Sequence, residues 1–135
     1  MHTQQGFYPV MYRGQRLTGS KRFTKIHLEG KSAANRLLVI RYLANGLDSS
    51  RFGFLVNKRI GKSPVRNRVK RRLREVVRLS QVKAGWDALF IVRRGAGTAK
   101  YHDLKNATEN LLQRANLVDE IPSPNGPGKT VDHIA

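Results

Sequence analysis

The chain contains no cysteine and few acids. The missing thiols exclude disulfides and thiolate metal sites within these 135 residues and are compatible with a cytoplasmic home. Only nine acids are present: Glu29, Asp48, Glu75, Asp87, Asp103, Glu109, Asp119, Glu120 and Asp132. The one adjacent pair opens a segment rich in proline and glycine, and His2, His27, His102 and His133 are scattered. A nuclease that holds its own magnesium needs convergent carboxylates or histidines. Nothing in this spacing supplies them, although a fold could bring His27 and Asp103 together. The expectation is a protein with no catalytic site, metal or cofactor of its own. Long apolar runs are also missing. The longest, Ala88 to Val92, has the length of a strand, far below the roughly 20 residues that span a bilayer. The opening MHTQQGFYPVMYRG has no basic start followed by an apolar block, so it does not read as a signal peptide. Gly95-Ala96-Gly97 lacks the Gly-Lys-Ser/Thr ending of a phosphate loop.

What is abundant is positive charge. Twenty-six Lys and Arg give a formal net charge of +17, while hydrophobic residues at 39% are enough to fill one modest core. Self-repulsion of this size opposes compaction, so the working state calls for an anionic partner. Nucleic acid is the first candidate, and a membrane surface finds no support in the sequence.

Three regions follow from composition. Residues 1–19 mix Gly, Gln, Pro and basic residues and read as a flexible arm; residues 119–135 read as a disordered Pro/Gly-rich tail. Residues 20–118 carry the pattern of a single α/β domain. A short helix is expected over 20–29 with Ser20 as N-cap, and strands over 36–44 and 51–57 flank an Asn45-Gly46 turn. Ser63-Pro64 predicts the start of a long helix to Leu79, with Ser63 as N-cap and Pro64 at the first helical position. A buried strand over 87–93 and an amphipathic helix over 101–115 complete the order. Trp86 and Tyr101 read as packing residues at element ends. Helix, strand, strand, helix, strand, helix implies one central sheet with helices packed on it.

The informative segment is KRIGKSPVRNRVKRRLREVVRL, from Lys58 to Leu79, with Glu75 its single acid. At 100° per residue, Val65, Val69, Leu73 and Val76 fall on one stripe. Asn67, Lys70, Arg71, Arg74 and Arg78 cluster opposite, and Arg66, Arg68 and Arg72 flank the seam, where long stems can cover apolar surface. Like charges three and four residues apart repel by a few tenths of a kcal/mol per pair, about 0.2–0.5. A face kept for solubility would mix signs, so this one points to an external polyanion. The predominance of arginine suits bidentate phosphate contacts and base stacking.

The same residues carry a family resemblance. Phe52-Gly53, then Val56-Asn57-Lys58-Arg59-Ile60-Gly61, then Arg66-Asn67-Arg68-Val69-Lys70-Arg71 and Arg74-Glu75, resemble the signature of the bacterial ribonuclease P protein. The similarity extends over roughly residues 16–117, through Arg16-Leu17, Phe23, Asn35-Arg36 and the strand followed by Arg93-Arg94. It implies a non-catalytic subunit beside a catalytic RNA that uses magnesium to free the mature 5′ end of precursor tRNA. On that resemblance Lys58, Arg59, Lys62, Arg66, Asn67, Arg68, Lys70, Arg71 and Arg74 contact RNA. Phe23, Arg36, Val39 and Arg41 line a cleft for the single-stranded 5′ leader. The implied fold is an α/β sandwich whose strand–helix–strand crossover is left-handed, the rare hand. The implied partners are the catalytic RNA and precursor tRNA, with no obligate protein partner. His27 and Arg41 stand where the family often has aromatics, and Ser63-Pro64 where small apolar residues are usual.

The residues themselves leave alternatives. Phe23 beside Lys21, Arg22 and Lys25 suits a stacking platform in a positive groove, and suits equally an ordinary core contact. Charge and size also allow a structural RNA binder of ribosomal type. A DNA-binding regulator would use 63–79 as its recognition helix, but an apparent strand precedes it where a short helix and turn would be needed.

Overall fold

A computed structural model describes residues 16–119. It contains α1 (Ser20–Glu29), β1 (Lys31–Ala34), β2 (Leu38–Ala44), β3 (Arg51–Leu55), α2 (Ser63–Leu79), β4 (Trp86–Val92) and α3 (Tyr101–Arg114). One-turn 3₁₀ segments, Lys58–Ile60 and Arg94–Gly97, follow β3 and β4. The sheet order is β1-β2-β4-β3, with β3 and β4 parallel and the other pairs antiparallel. The architecture is the expected α+β single domain, and α2 is the crossover between the two parallel strands. The expected arm and tail lie outside the described residues except for 16–19 and Asp119. Within them, Arg16 bridges to Phe52 and Leu17 is buried, its N–H donating to the Phe52 carbonyl at 2.8 Å.

Alternation along the strands divides the core. Leu38, Ile40, Ala88, Phe90, Val92 and Phe52 face α2 and α3, whose Val69, Leu73, Val77, Leu104, Leu111 and Leu112 close that layer. Burying a side chain such as Leu73, which is fully enclosed, contributes about 1.5–3 kcal/mol. The other sheet face meets α1: Ile26, Leu17 and Leu89 are buried, with Phe23, Leu43 and Ile91 packed around them. Gly53 makes this possible, because a Cβ there would stand 3.1 Å from Leu89 Cδ1 and 3.4 Å from Leu17 Cβ.

Three expectations need correction. β1 is an additional strand: Lys31-Ser-Ala-Ala34 has no apolar period, and its pairing with β2 makes it a strand. Asn35 fixes the connecting turn, its Oδ1 accepting from the Leu37 and Leu38 N–H groups at 3.1 and 3.0 Å. The N-caps shift by one residue: Gly19 caps α1 and Lys62 caps α2, so Ser20 and Ser63 are the first helical residues and neither helix has a side-chain cap. Strand ends move by one or two residues, β2 beginning at Leu38 and β3 ending at Leu55. His27 and Asp103 sit on helices that cover opposite faces of the sheet. No helix among the described residues is long and apolar enough to cross a membrane.

Candidate nucleic-acid interface

The amphipathic pattern of α2 fixes what it presents. Val69, Leu73, Val76 and Val77 are buried, so the arc containing Asn67 and Arg71 is left exposed, with Arg66, Arg68, Lys70, Arg72 and Arg74 half-buried on its flanks. The turn before the helix is built just as locally. Asn57 Oδ1 accepts from the Arg59 N–H at 2.9 Å, which closes the Lys58–Ile60 turn and buries Ile60 beneath it. Ile60 rests on the Arg94–Gly97 turn. A Cβ on Gly97 would stand 2.5 Å from the Ile60 carbonyl oxygen, so the two turns meet only because glycine is there. This contact packs the turn that carries exposed Arg94 against the turn that carries exposed Lys58 and Arg59.

The polar side chains of this surface fall into two groups, and all but Asn67 are cations. Four arginines are held by the protein. Arg66 Nε donates to the Gly61 carbonyl and its Nη2 to Ser63 Oγ, both at 3.1 Å. Arg68 Nη2 donates to the Gly97 carbonyl at 3.3 Å, Arg72 lies 5.8 Å from the Tyr101 ring centre and Arg74 6.0 Å from that of Phe54. Burial first, then the charge of Arg16, draws the Arg74 guanidinium below its ordinary value, and arginine remains charged at neutral pH regardless. The second group has no such ties: among the described residues the side chains of Lys58, Arg59, Lys62, Asn67, Lys70 and Arg71 make no hydrogen bond or ion pair. Arg16, Lys70 and Arg74 share the rim of a cavity of about 150 Å³ walled by Phe52 and Phe54.

The second predicted group is only partly assembled. Phe23 is half-buried against the α1 layer. Arg41 and Val39 stand on the same face of β2 by strand alternation, and the Arg41 guanidinium donates to the His27 carbonyl at the end of α1. The cross-strand row Val39–Ile91–Leu55 lies toward the carboxyl ends of β3 and β4, half-buried or exposed, with Leu55 44% exposed. Arg36 does not join it. It sits in the β1–β2 turn and lines a groove against α3, not α1. Arg16 and Arg94 were not among the predicted site residues. Only the pairing of residue 16 with β3 and the packing of one turn on the other brings them in.

Among the described residues, no three His, Asp or Glu side chains form a group able to hold a metal ion. A sequence profile for the family Ribonuclease P matches residues 11–116. The chain belongs to the ribonuclease P protein family. The ribonuclease P protein component of Caldanaerobacter subterraneus subsp. tengcongensis is 42% identical over 107 residues, covering 78% of this chain and 92% of that protein. That of Dehalococcoides mccartyi is 34% identical over 110 residues, 82% and 92% of the two. The fold agrees with solved ribonuclease P proteins. That of Staphylococcus aureus matches with a TM-score of 0.72 at 30% identity, over 78% of this chain and 98% of that one. That of Thermotoga maritima gives 0.68 at 32%, over 73% and 96%.

Proposed function

We propose that this chain is the protein subunit of a ribonuclease P, and that it binds the catalytic RNA and the 5′ leader of precursor tRNA while the RNA does the cutting. One observation carries the reading. The cations from Lys58 to Arg71 outside the four held arginines pair with no acid among the described residues, although the elements that hold them are built from firm local contacts. Such a surface gains its counter-charge from phosphates, whose condensed counterions are released on contact. Lys58, Arg59, Lys62, Asn67, Lys70 and Arg71, with Arg16 and Arg94 at their edges, meet the catalytic RNA. Arg66, Arg68, Arg72 and Arg74 add charge from fixed positions, where less side-chain freedom remains to be lost on binding.

The leader lies along the sheet beside α1. Phe23 and the Val39–Ile91–Leu55 row offer apolar surface for unstacked bases, and Arg41 supplies charge next to them. Magnesium in this scheme belongs to the RNA, and the protein works by neutralising phosphates and holding the leader in register. The cytoplasm is the compartment this reading requires.

The test is cleavage of a leader-bearing precursor tRNA by a bacterial ribonuclease P RNA at low magnesium, with and without the chain. The expected result is strong stimulation and no cleavage by the protein alone. Tight, salt-sensitive RNA binding without stimulation would instead favour a structural RNA-binding role.

A further inference from the structure

Arg36 and Asp103 face a groove that the RNA surface described above does not use. The groove lies between the β1–β2 turn and the first half of α3, with a volume of about 310 Å³, within the range of small-molecule sites, roughly 300–1,000 Å³. Its floor is apolar: Leu37 is buried and Ala107 half-buried. Its walls are polar, with Arg36 on the turn and Asp103, Asn106 and Asn110 at helical spacing on α3. The walls are tied together. Asn35 Nδ2 donates to the Ala107 carbonyl at 2.9 Å and to Asn110 Oδ1 at 3.1 Å, while its own Oδ1 closes the turn.

Opposite charges border this groove without pairing. Arg36 and Asp103 are both exposed, and neither makes an ion pair or side-chain hydrogen bond among the described residues. One presents only donors and the other, ionised, only acceptors. A planar ligand on the apolar floor would have to offer acceptors to the first and donors to the second. Guanine does so: its O6 and N7 suit the arginine fork, and its N1–H and 2-amino group suit a carboxylate. Adenine has no acceptor at its 6-position, and uracil has no exocyclic amine. Sequence-specific reading of RNA targets such unpaired bases through their edges.

We propose that this groove is a guanine-selective pocket for one unpaired base of single-stranded RNA, with Asp103 and Arg36 as the residues that read it. The proposal rests on the RNA-binding reading above. It is tested with the full-length chain and short fluorescent oligouridylates carrying one central guanosine, adenosine or inosine, by anisotropy at fixed salt. The guanosine oligomer should bind several-fold tighter than the adenosine one. Inosine, which lacks the 2-amino group, should lose much of that gain.

The variants separate a reader from a surface acid by sign. Removing an acid from a chain of charge +17 should tighten all RNA binding equally if the acid is only a surface charge. Asp103→Ala and Asp103→Asn should instead abolish the guanosine preference while leaving all-uridine binding equal or slightly tighter, and Arg36→Ala should abolish it too. Two results overturn the proposal: salt-sensitive binding with no guanosine preference in the unaltered chain, or a preference that survives Asp103→Asn. Absence of salt-sensitive binding to any oligomer would overturn the RNA-binding reading, and the pocket with it.

Discussion

Arg51 and Arg71 carry the same side chain into opposite electrostatic surroundings. At the amino end of β4, the carboxylate of Asp87 is fully buried. Arg51 grips it with Nε at 2.8 Å and Nη2 at 2.7 Å, Arg22 reaches it from α1 at 2.5 Å, and Asn45 donates from the β2–β3 turn at 2.9 Å. At the other end of the sheet, the parallel strands β3 and β4 both run out into the 3₁₀ turns, where Lys58, Arg59 and Arg94, with Lys62 just beyond, are exposed and pair with no acid among the described residues. The same residue type closes the fold at one end and is left open for a partner at the other. Charge counts alone do not distinguish the two. The position of a single buried acid does.

The comparison breaks most visibly at Asp87. Replacing it with Ala leaves Arg22 and Arg51 around a space with no anion, and loss of one partner of a buried pair costs about 3–5 kcal/mol. Both arginines keep partial solvent access, so the expected loss is near the lower figure, about 3 kcal/mol, read from urea unfolding in phosphate buffer. An unchanged midpoint would remove the carboxylate from its structural role.

Acid should reach the same site. Burial works to raise the Asp87 carboxyl, but the hydrogen bonds from Arg51, Asn45 and Arg22 outweigh it and hold the group below the usual carboxylate range. A depressed folded value means that its stabilisation is fully present above the unfolded value, about 3.9, and is lost as pH falls through the folded one. Melting temperature followed downward from pH 7 should therefore show an acid-side loss that Asp87→Asn flattens. The same curve in both chains would contradict this.

How much of this was legible in the sequence differs between the two ends. The basic end was: ten Lys and Arg against one acid between Lys58 and Leu79, and a stripe at helical spacing, are local signals that predict α2 to within one residue of its observed start. The locked end was not, because Arg22, Asn45, Arg51 and Asp87 come from four separate segments and only the sheet register brings them together. β1 was invisible for a related reason, its Lys-Ser-Ala-Ala run becoming a strand through pairing with β2. The groove that Arg36 lines against α3 has no local signal either, because nothing in the sequence tells that its turn is tied to α3 by Asn35.

Smaller effects sharpen the contrast. Phe23→Ala should weaken precursor tRNA carrying a leader by about 1–3 kcal/mol, the value of one stacked base, and spare mature tRNA, as read from paired binding titrations. Equal loss on both would make Phe23 a core residue only. Arg68→Ala removes the bond to the Gly97 carbonyl and should cost about 1 kcal/mol of stability as well as some RNA affinity, marking it as intermediate between the two ends.

The most direct measurement of the central claim is the salt dependence of catalytic-RNA binding by the unaltered chain, the Arg59→Ala/Arg71→Ala double variant and Arg22→Ala. Each lost phosphate contact lowers the log–log slope by about 0.7–0.9. The double variant should therefore lose about 1.4–1.8 in slope with its unfolding midpoint unchanged, while Arg22→Ala should lose stability and keep its slope. An unchanged slope in the double variant, or an equal drop in Arg22→Ala, would contradict the division of the molecule into a locked end and an open one.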